Sequence, residues 1–249
     1  MDFEKYDSNI HAEKLTDWFR YKASEPEDIR KYRNAIDEAY GDFRDHFGLE
    51  RDVKFVFAET NIDAIREKYE EIPVWEYAMG FSADPEYHDV DRPTIFLMAT
   101  EDYEYWENIL KFTAVHELAH QKFYENREMG WRIYQRMLLE GHAMHSAEQL
   151  SSRRDYGWSQ EGWNAEVNAT EIIEELDKLN EWKDQEDVET STLFEPDGEK
   201  WQSAEGYPIT FNVTGFILEE DNLEVGDLLE IEYSQWREEV KKSIKELYS

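Results

Sequence analysis

Apolar positions spaced by three and four dominate the chain, and only short runs carry the β-branched and aromatic density of strands. Residues 9 to 47 read as one or two helices, broken near Ser24-Glu25-Pro26, where Ser24 is placed to cap the second. Ile29, Tyr32, Ile36, Tyr40 and Phe43 form that helix's apolar stripe. Val53 to Ala58 (VKFVFA) and Thr94 to Ala99 (TIFLMA) read as strands. Between them, residues 61 to 71 look helical and stop before Pro73, and residues 80 to 93 read as turns.

Helical spacing then takes over. Residues 101 to 125 predict one helix with Ile109, Phe112, Val115, Ala119 and Phe123 as its buried stripe. A turn over 126 to 130 leads to helices over 131 to 153 and 162 to 182. Residues 184 to 205 are acidic and rich in loop-forming types, hence a loop, linker or lid. Ile209 to Leu218 (ITFNVTGFIL) is ambiguous: its β-branched content favours a strand, yet nothing flanking it signals a hairpin. Residues 232 to 247 close the chain as an amphipathic helix with Trp236, Val240, Ile244 and Leu247 on one side. The expected fold is α+β and mainly α. It forms a single domain over 1–249, divisible into a part with the sheet (1–125) and a helical part (126–249).

Composition narrows the functions. The chain carries 59 acidic against 27 basic residues, a formal net charge of −32, with only 14 Lys. Such self-repulsion is relieved by salt, and the pattern resembles that of proteins from salt-accumulating halophiles. It excludes nucleic acid and anionic membrane as partners, since phosphate binding needs clustered Lys and Arg. Nine Trp and 15 Tyr argue for a real core rather than an acidic disordered tail. No cysteine is present, which removes disulfides, thiolate metal sites and cysteine nucleophiles together. The first residues lack a signal-peptide pattern, and no apolar run reaches the roughly 20 residues that span a bilayer. A cytoplasmic location is expected, which leaves the sequon Asn212-Val213-Thr214 without consequence.

The chemistry concentrates in Val115-His116-Glu117-Leu118-Ala119-His120, an H-E-x-x-H pattern. On a helix, residues four apart lie about 40° apart around the axis and about 6 Å along it, so His116 and His120 can share one ion. Glu117 sits beside that face, placed to take a proton from activated water rather than to bind the ion. Residue frequencies give such a match by accident in roughly 3% of chains of this composition. A catalytic zinc usually has three protein ligands. Glu140, twenty residues after His120, is the best third. If the two helices run antiparallel, the histidines lie about 12 Å before the turn and Glu140 about 13.5 Å after it. Gly141 would let those helices approach closely. Glu148, His142 and His145 are rivals, whereas His11, His46 and His88 read as surface or packing residues.

His116, Glu117, His120 and Glu140 resemble the gluzincin metallopeptidases. The context HELAH followed by LLEGHAMHSAE is more similar to a family of predicted zinc-dependent proteases bearing H-E-x-x-H and then E-G-x-A on the next helix. The overlap covers residues 94 to 150, and Gly206-Tyr207 is similar to a late helical Gly-Tyr segment of that family, which would make Ile209 to Leu218 helical. The metzincin extension is excluded, because Phe123 and Asn126 stand at its glycine and histidine positions. Met144 replaces the thermolysin-type Asp that orients a ligand histidine. The resemblance implies a zincin-like fold, with the motif helix and an antiparallel Glu-bearing helix beside a small sheet. It also implies a Zn2+ cofactor, a peptide or protein substrate, Glu117 as general base and Tyr207 as a candidate oxyanion donor. Thr94 to Ala99 would be a sheet edge that pairs with an extended substrate, and Trp158 and Trp163 could line the cleft rim. Two other readings are a zinc hydrolase of a non-peptide amide and a non-catalytic metal-stabilised domain.

Overall fold

Two runs of apolar residues, buried on both faces, build the sheet. In the computed structural model, which describes residues 1–69, 72, 74–128, 132–151, 169–181 and 206–248, they are β3 (Lys54–Thr60) and β5 (Thr94–Ala99). These lie parallel, with Phe55 opposite Ile95 and Phe57 opposite Leu97. β1 (Asp2–Lys5) joins the far side of β3 in parallel, β2 (Ala23–Ser24) pairs antiparallel with the end of β3, and β4 (Ala78–Ala83) pairs antiparallel with β5. The path is β1-β3-β5-β4. The fold is α+β and mainly helical, as the spacing predicts.

Contacts divide the chain into two compact units. One runs from Met1 to Glu125 and includes the segment starting at Ser146; the other holds Asn126–His145 and the described residues from 169 onward. In the first unit, one face of the sheet is covered by α3 (Arg30–Phe47), whose Tyr32 stacks on Phe57 at 4.3 Å and whose Tyr40 meets Phe55 edge-on at 5.9 Å. Gly48 ends that helix at φ 67°, a left-handed conformation that glycine adopts without steric cost. The other face packs Val56, Ala58, Phe96 and Met98 against Tyr6, Leu15 and Phe19. That cover comes from the segment around α1 (Ser8–His11) and from α2 (Asp17–Lys22), which carries Phe19, and α4 (Ile62–Lys68) begins on an Asn61 side-chain cap.

Several expectations are corrected. Ser24 does not cap α3; it lies in β2, and its hydroxyl donates to the Glu59 carbonyl at 3.0 Å. β4 falls where turns were expected. Its sequence, AMGFSA, looks turn-like because Ala78, Gly80 and Ser82 share a face that must stay small to admit a helix. Thr94 to Ala99 is not an edge: β5 is flanked by β3 and β4, and among the described residues β4 is the edge on that side. Residues 101 to 105 are turns, and the motif helix α5 begins at Trp106 (Trp106–Asn126). Ile109, Phe112, Val115, Ala119 and Phe123 are all buried.

In the second unit, α6 (Ile133–Leu150) contributes its part up to His145, followed by α7 (Ala169–Glu181), α8 (Gly206–Glu220) and α9 (Tyr233–Leu247). Ile209 to Leu218 lies in α8, so helix prevails over its β-branched content. Ile209, Thr210, Val213, Thr214 and Ile217 are buried, a spacing of one and three that only a helix turns to one side, and packing outweighs propensity. Trp236, Val240 and Ile244 of α9 are fully buried, whereas Leu247 is exposed. The Trp236 indole donates to the Tyr134 carbonyl at 2.8 Å. Asp177 of α7 accepts from Tyr134, Arg237 and Lys241, at 3.0, 2.8 and 2.6 Å. The acidic segment 184–205, Trp158 and Trp163 lie outside the described residues.

His11 gives the fold a pH dependence. Its ring is 2% exposed, its Nδ1 accepts the Asp7 N–H at 3.2 Å, and it stacks on Tyr6. Burial lowers its pKa, which nearby Glu4 partly offsets, while Lys54 and Lys14 lower it further. As pH falls, the unfolded chain therefore takes up this proton first. The contribution is complete above the ordinary histidine value and is lost as pH falls through the folded one. Urea unfolding at pH 7.5 and 5.5 should show a larger loss for the native chain than for His11→Gln. Equal losses would show that this ring does not contribute.

Candidate metal centre

The motif helix is buried along much of its length. Leu110, Ala114 and Leu118 are fully buried in addition to the expected stripe. On it His116 is half-buried and His120 is 7% exposed. Their Nε2 atoms lie 3.1 Å apart, with ring planes at 86°. Two nitrogens bound at about 2.05 Å to one tetrahedral ion would be about 3.3 Å apart. The pair therefore has the spacing that a shared ion requires.

Glu117 is 6% exposed and lies under the edge strand. Its backbone carbonyl accepts the Ser82 hydroxyl at 3.2 Å. Its carboxylate occupies the space that a side chain at Gly80 would fill: a Cβ there would come within 2.7 Å of Oε1 and 2.8 Å of Cδ. No pattern in the sequence marks this, because it depends on strand meeting helix. Gly80→Ala should therefore displace the Glu117 carboxylate. Forcing a methyl into a filled space costs about 1–3 kcal/mol. The expected result is a lower urea midpoint for Gly80→Ala. An unchanged midpoint would show that Glu117 does not need that space.

Glu140 lies on α6, 2% exposed, with Oε1 3.3 Å from Arg136 Nε one turn earlier. Arg136 was not singled out from the sequence, although a cation four residues from a buried carboxylate is a readable signal. Met144, at the position of the thermolysin-type Asp, is buried. Gly141 does serve a close approach, but the nearest side chain is Thr214 of α8, whose Cβ and Cγ2 would lie 3.2 Å from an added Cβ.

One ligand atom each from His116, His120 and Glu140 lies within 4.8 Å of the others, a group that could hold a metal ion. Among the described residues it is the one such group. The rivals lie outside it. Glu148 is half-buried, and His142 is fully buried. His145 Nε2 donates to the Phe211 carbonyl at 2.9 Å, with its ring stacked on Phe211 at 4.3 Å. Tyr207 is half-buried in the first turn of α8. His46 is exposed and meets Gln149 at 2.8 Å, whereas His88 packs against Asp84 and Phe81, so one is a surface and the other a packing residue.

No protein-family model, curated protein or solved structure matches the chain. Among the described residues no helix is long and apolar enough to cross a membrane.

Proposed function

We propose that the chain is a zinc-dependent hydrolase of peptide bonds, of gluzincin type, with His116, His120 and Glu140 as metal ligands and Glu117 as general base. The observation that carries this is the three-residue grouping, together with Glu117, the residue after His116, buried against Gly80 of β4. Two imidazoles and one carboxylate suit zinc and leave a coordination position open. The same donor set also occurs in non-haem iron sites. Glu117 favours hydrolysis, since a structural or purely redox centre has no use for a buried base at that position.

A bound ion supplies Lewis acidity, enough to bring the pKa of a water toward about 7. Glu117 then takes the proton from the attacking water and passes it to the leaving nitrogen. An extended substrate pairs its backbone with β4, an edge strand among the described residues, whose Gly80 meets the Glu117 carboxylate. Tyr207 is the candidate hydrogen-bond donor to the oxyanion.

Two measurements test this reading: metal analysis of the purified chain, and cleavage of a quenched eight-residue peptide library at high and low salt. One zinc per chain is expected, with turnover that a chelator removes and zinc restores. Iron in place of zinc, or turnover that survives chelation, would overturn it.

A further inference from the structure

The motif helix carries a second working face. Glu117 and Gln121 are four residues apart, as are His116 and His120, and the two pairs are offset by about 100° around the axis. The histidine pair supplies the two imidazoles, and the other pair meets β4. One helical turn of four residues spans about 6 Å, and two residues of strand span about 6.7 Å. Glu117 can therefore mesh with Gly80 while Gln121 meshes with Ser82 and Ala83.

Gln121 is fully buried and spends its amide on that contact. Its Nε2 donates to Ser82 Oγ at 2.7 Å and to the Ala83 carbonyl at 3.0 Å, and its Oε1 accepts from Arg51 at 3.3 Å. Arg51 in turn pairs with Asp84, 2% exposed, the residue that follows β4. The Ser82 hydroxyl in turn donates a hydrogen bond to the Glu117 carbonyl. A buried polar chain thus runs from Asp84 through Arg51, Gln121 and Ser82 to the backbone of Glu117. Each donor of the Gln121 amide is used, which is the condition under which a buried polar network rigidifies rather than destabilises.

We infer that Gln121 is a positioning residue: it bolts edge strand β4 to the motif helix and so sets where an extended substrate lies relative to Glu117. This rests on the hydrolytic reading above. The helix itself fixes the spacing of His116, Glu117 and His120, so the bolt acts on the strand and not on the metal. Its loss should matter for substrates long enough to pair with β4 and not for a dipeptide amide.

The test compares the native chain with Gln121→Met, which keeps length and bulk but donates nothing. Three readouts are taken: zinc per chain, amide hydrogen exchange of β4, and kcat and KM for an eight-residue peptide and a dipeptide amide. Exchange at Met79 and Phe81 should rise at least tenfold while β3 and the β5 amides that bond to β3 keep their protection, with zinc unchanged. The kcat for the long peptide should fall about tenfold with KM within about twofold, and the dipeptide amide should be turned over as before. If β4 protection and long-peptide kcat both match the native chain, the inference fails. It also fails if both substrates lose rate in proportion to lost zinc, since Gln121 would then only support the metal helix. Should Gln121→Met not fold, Ser82→Ala leaves the bond to Ala83 in place and should give the same pattern at about threefold; an unchanged Ser82→Ala overturns the inference. Absence of turnover by the zinc-loaded native chain is a different failure, which removes the hydrolytic reading and this role together.

Discussion

Replacing Glu117 by Gln should leave zinc bound and lower kcat/KM by about 10²- to 10⁴-fold, the range that a positioned general base contributes. The substitution keeps the shape of a side chain that fits beside Gly80, and it keeps the backbone carbonyl that accepts the Ser82 hydroxyl. What it removes is the ability to take up a proton. The helix, its histidines and its buried stripe should be unaffected, so zinc content and unfolding temperature are the controls. Both should match the native chain while steady-state turnover of the peptide library collapses. Turnover within a factor of ten of native, with zinc intact, would remove Glu117 from the chemistry and leave the buried carboxylate unexplained. A Gly80→Ala chain should lose less than Glu117→Gln, because a displaced carboxylate still accepts a proton.

What the sequence showed and what it hid divide along the range of the interactions involved. The His116/His120 pair was legible because one helical turn places both, and helical spacing is a local property. Glu140 was within reach because counting rise along two helices from a shared turn puts it at the level of the histidines. α3, α5 and α9 stood out from their apolar stripes, and β3 and β5 from dense β-branched and aromatic runs. β4 was hidden for a physical reason. A strand that lets a helix approach over Glu117 needs glycine, alanine and serine on one face, and those residues in isolation read as turn. The order β1-β3-β5-β4 was hidden as well, so the edge was assigned to β5 instead of β4. α8 showed the opposite conflict: its residues favour a strand, and burial around Thr210, Val213 and Thr214 decides for helix. Gln121 follows the second histidine directly, yet its role exists only once Ser82 and Ala83 are opposite it.

The metal itself gives the other large effect. Glu140→Gln should weaken zinc binding by more than the 10- to 100-fold typical of residues that merely support ligands. The carboxylate is 2% exposed, and one of its oxygens faces Arg136 Nε at 3.3 Å. An amide keeps the volume but offers a neutral oxygen in place of an anionic one, which is a far weaker partner for a divalent cation. Competition against a chelator of known affinity measures the loss directly. Glu148→Gln, a half-buried carboxylate two turns further along the same helix, is the matched control and should bind zinc as the native chain does. Stability gives an independent reading. Zinc at about a hundredfold over its Kd should add about 2.7 kcal/mol to the native fold, whereas Glu140→Gln should need at least a hundredfold more zinc for the same gain. Arg136→Met separates ligand from support: losing the guanidinium should cost about tenfold in zinc affinity, clearly less than losing the carboxylate. If Glu140→Gln and Glu148→Gln bind zinc equally well, the carboxylate beside the two imidazoles is not a ligand, and a two-histidine site would be too weak to support the proposed chemistry.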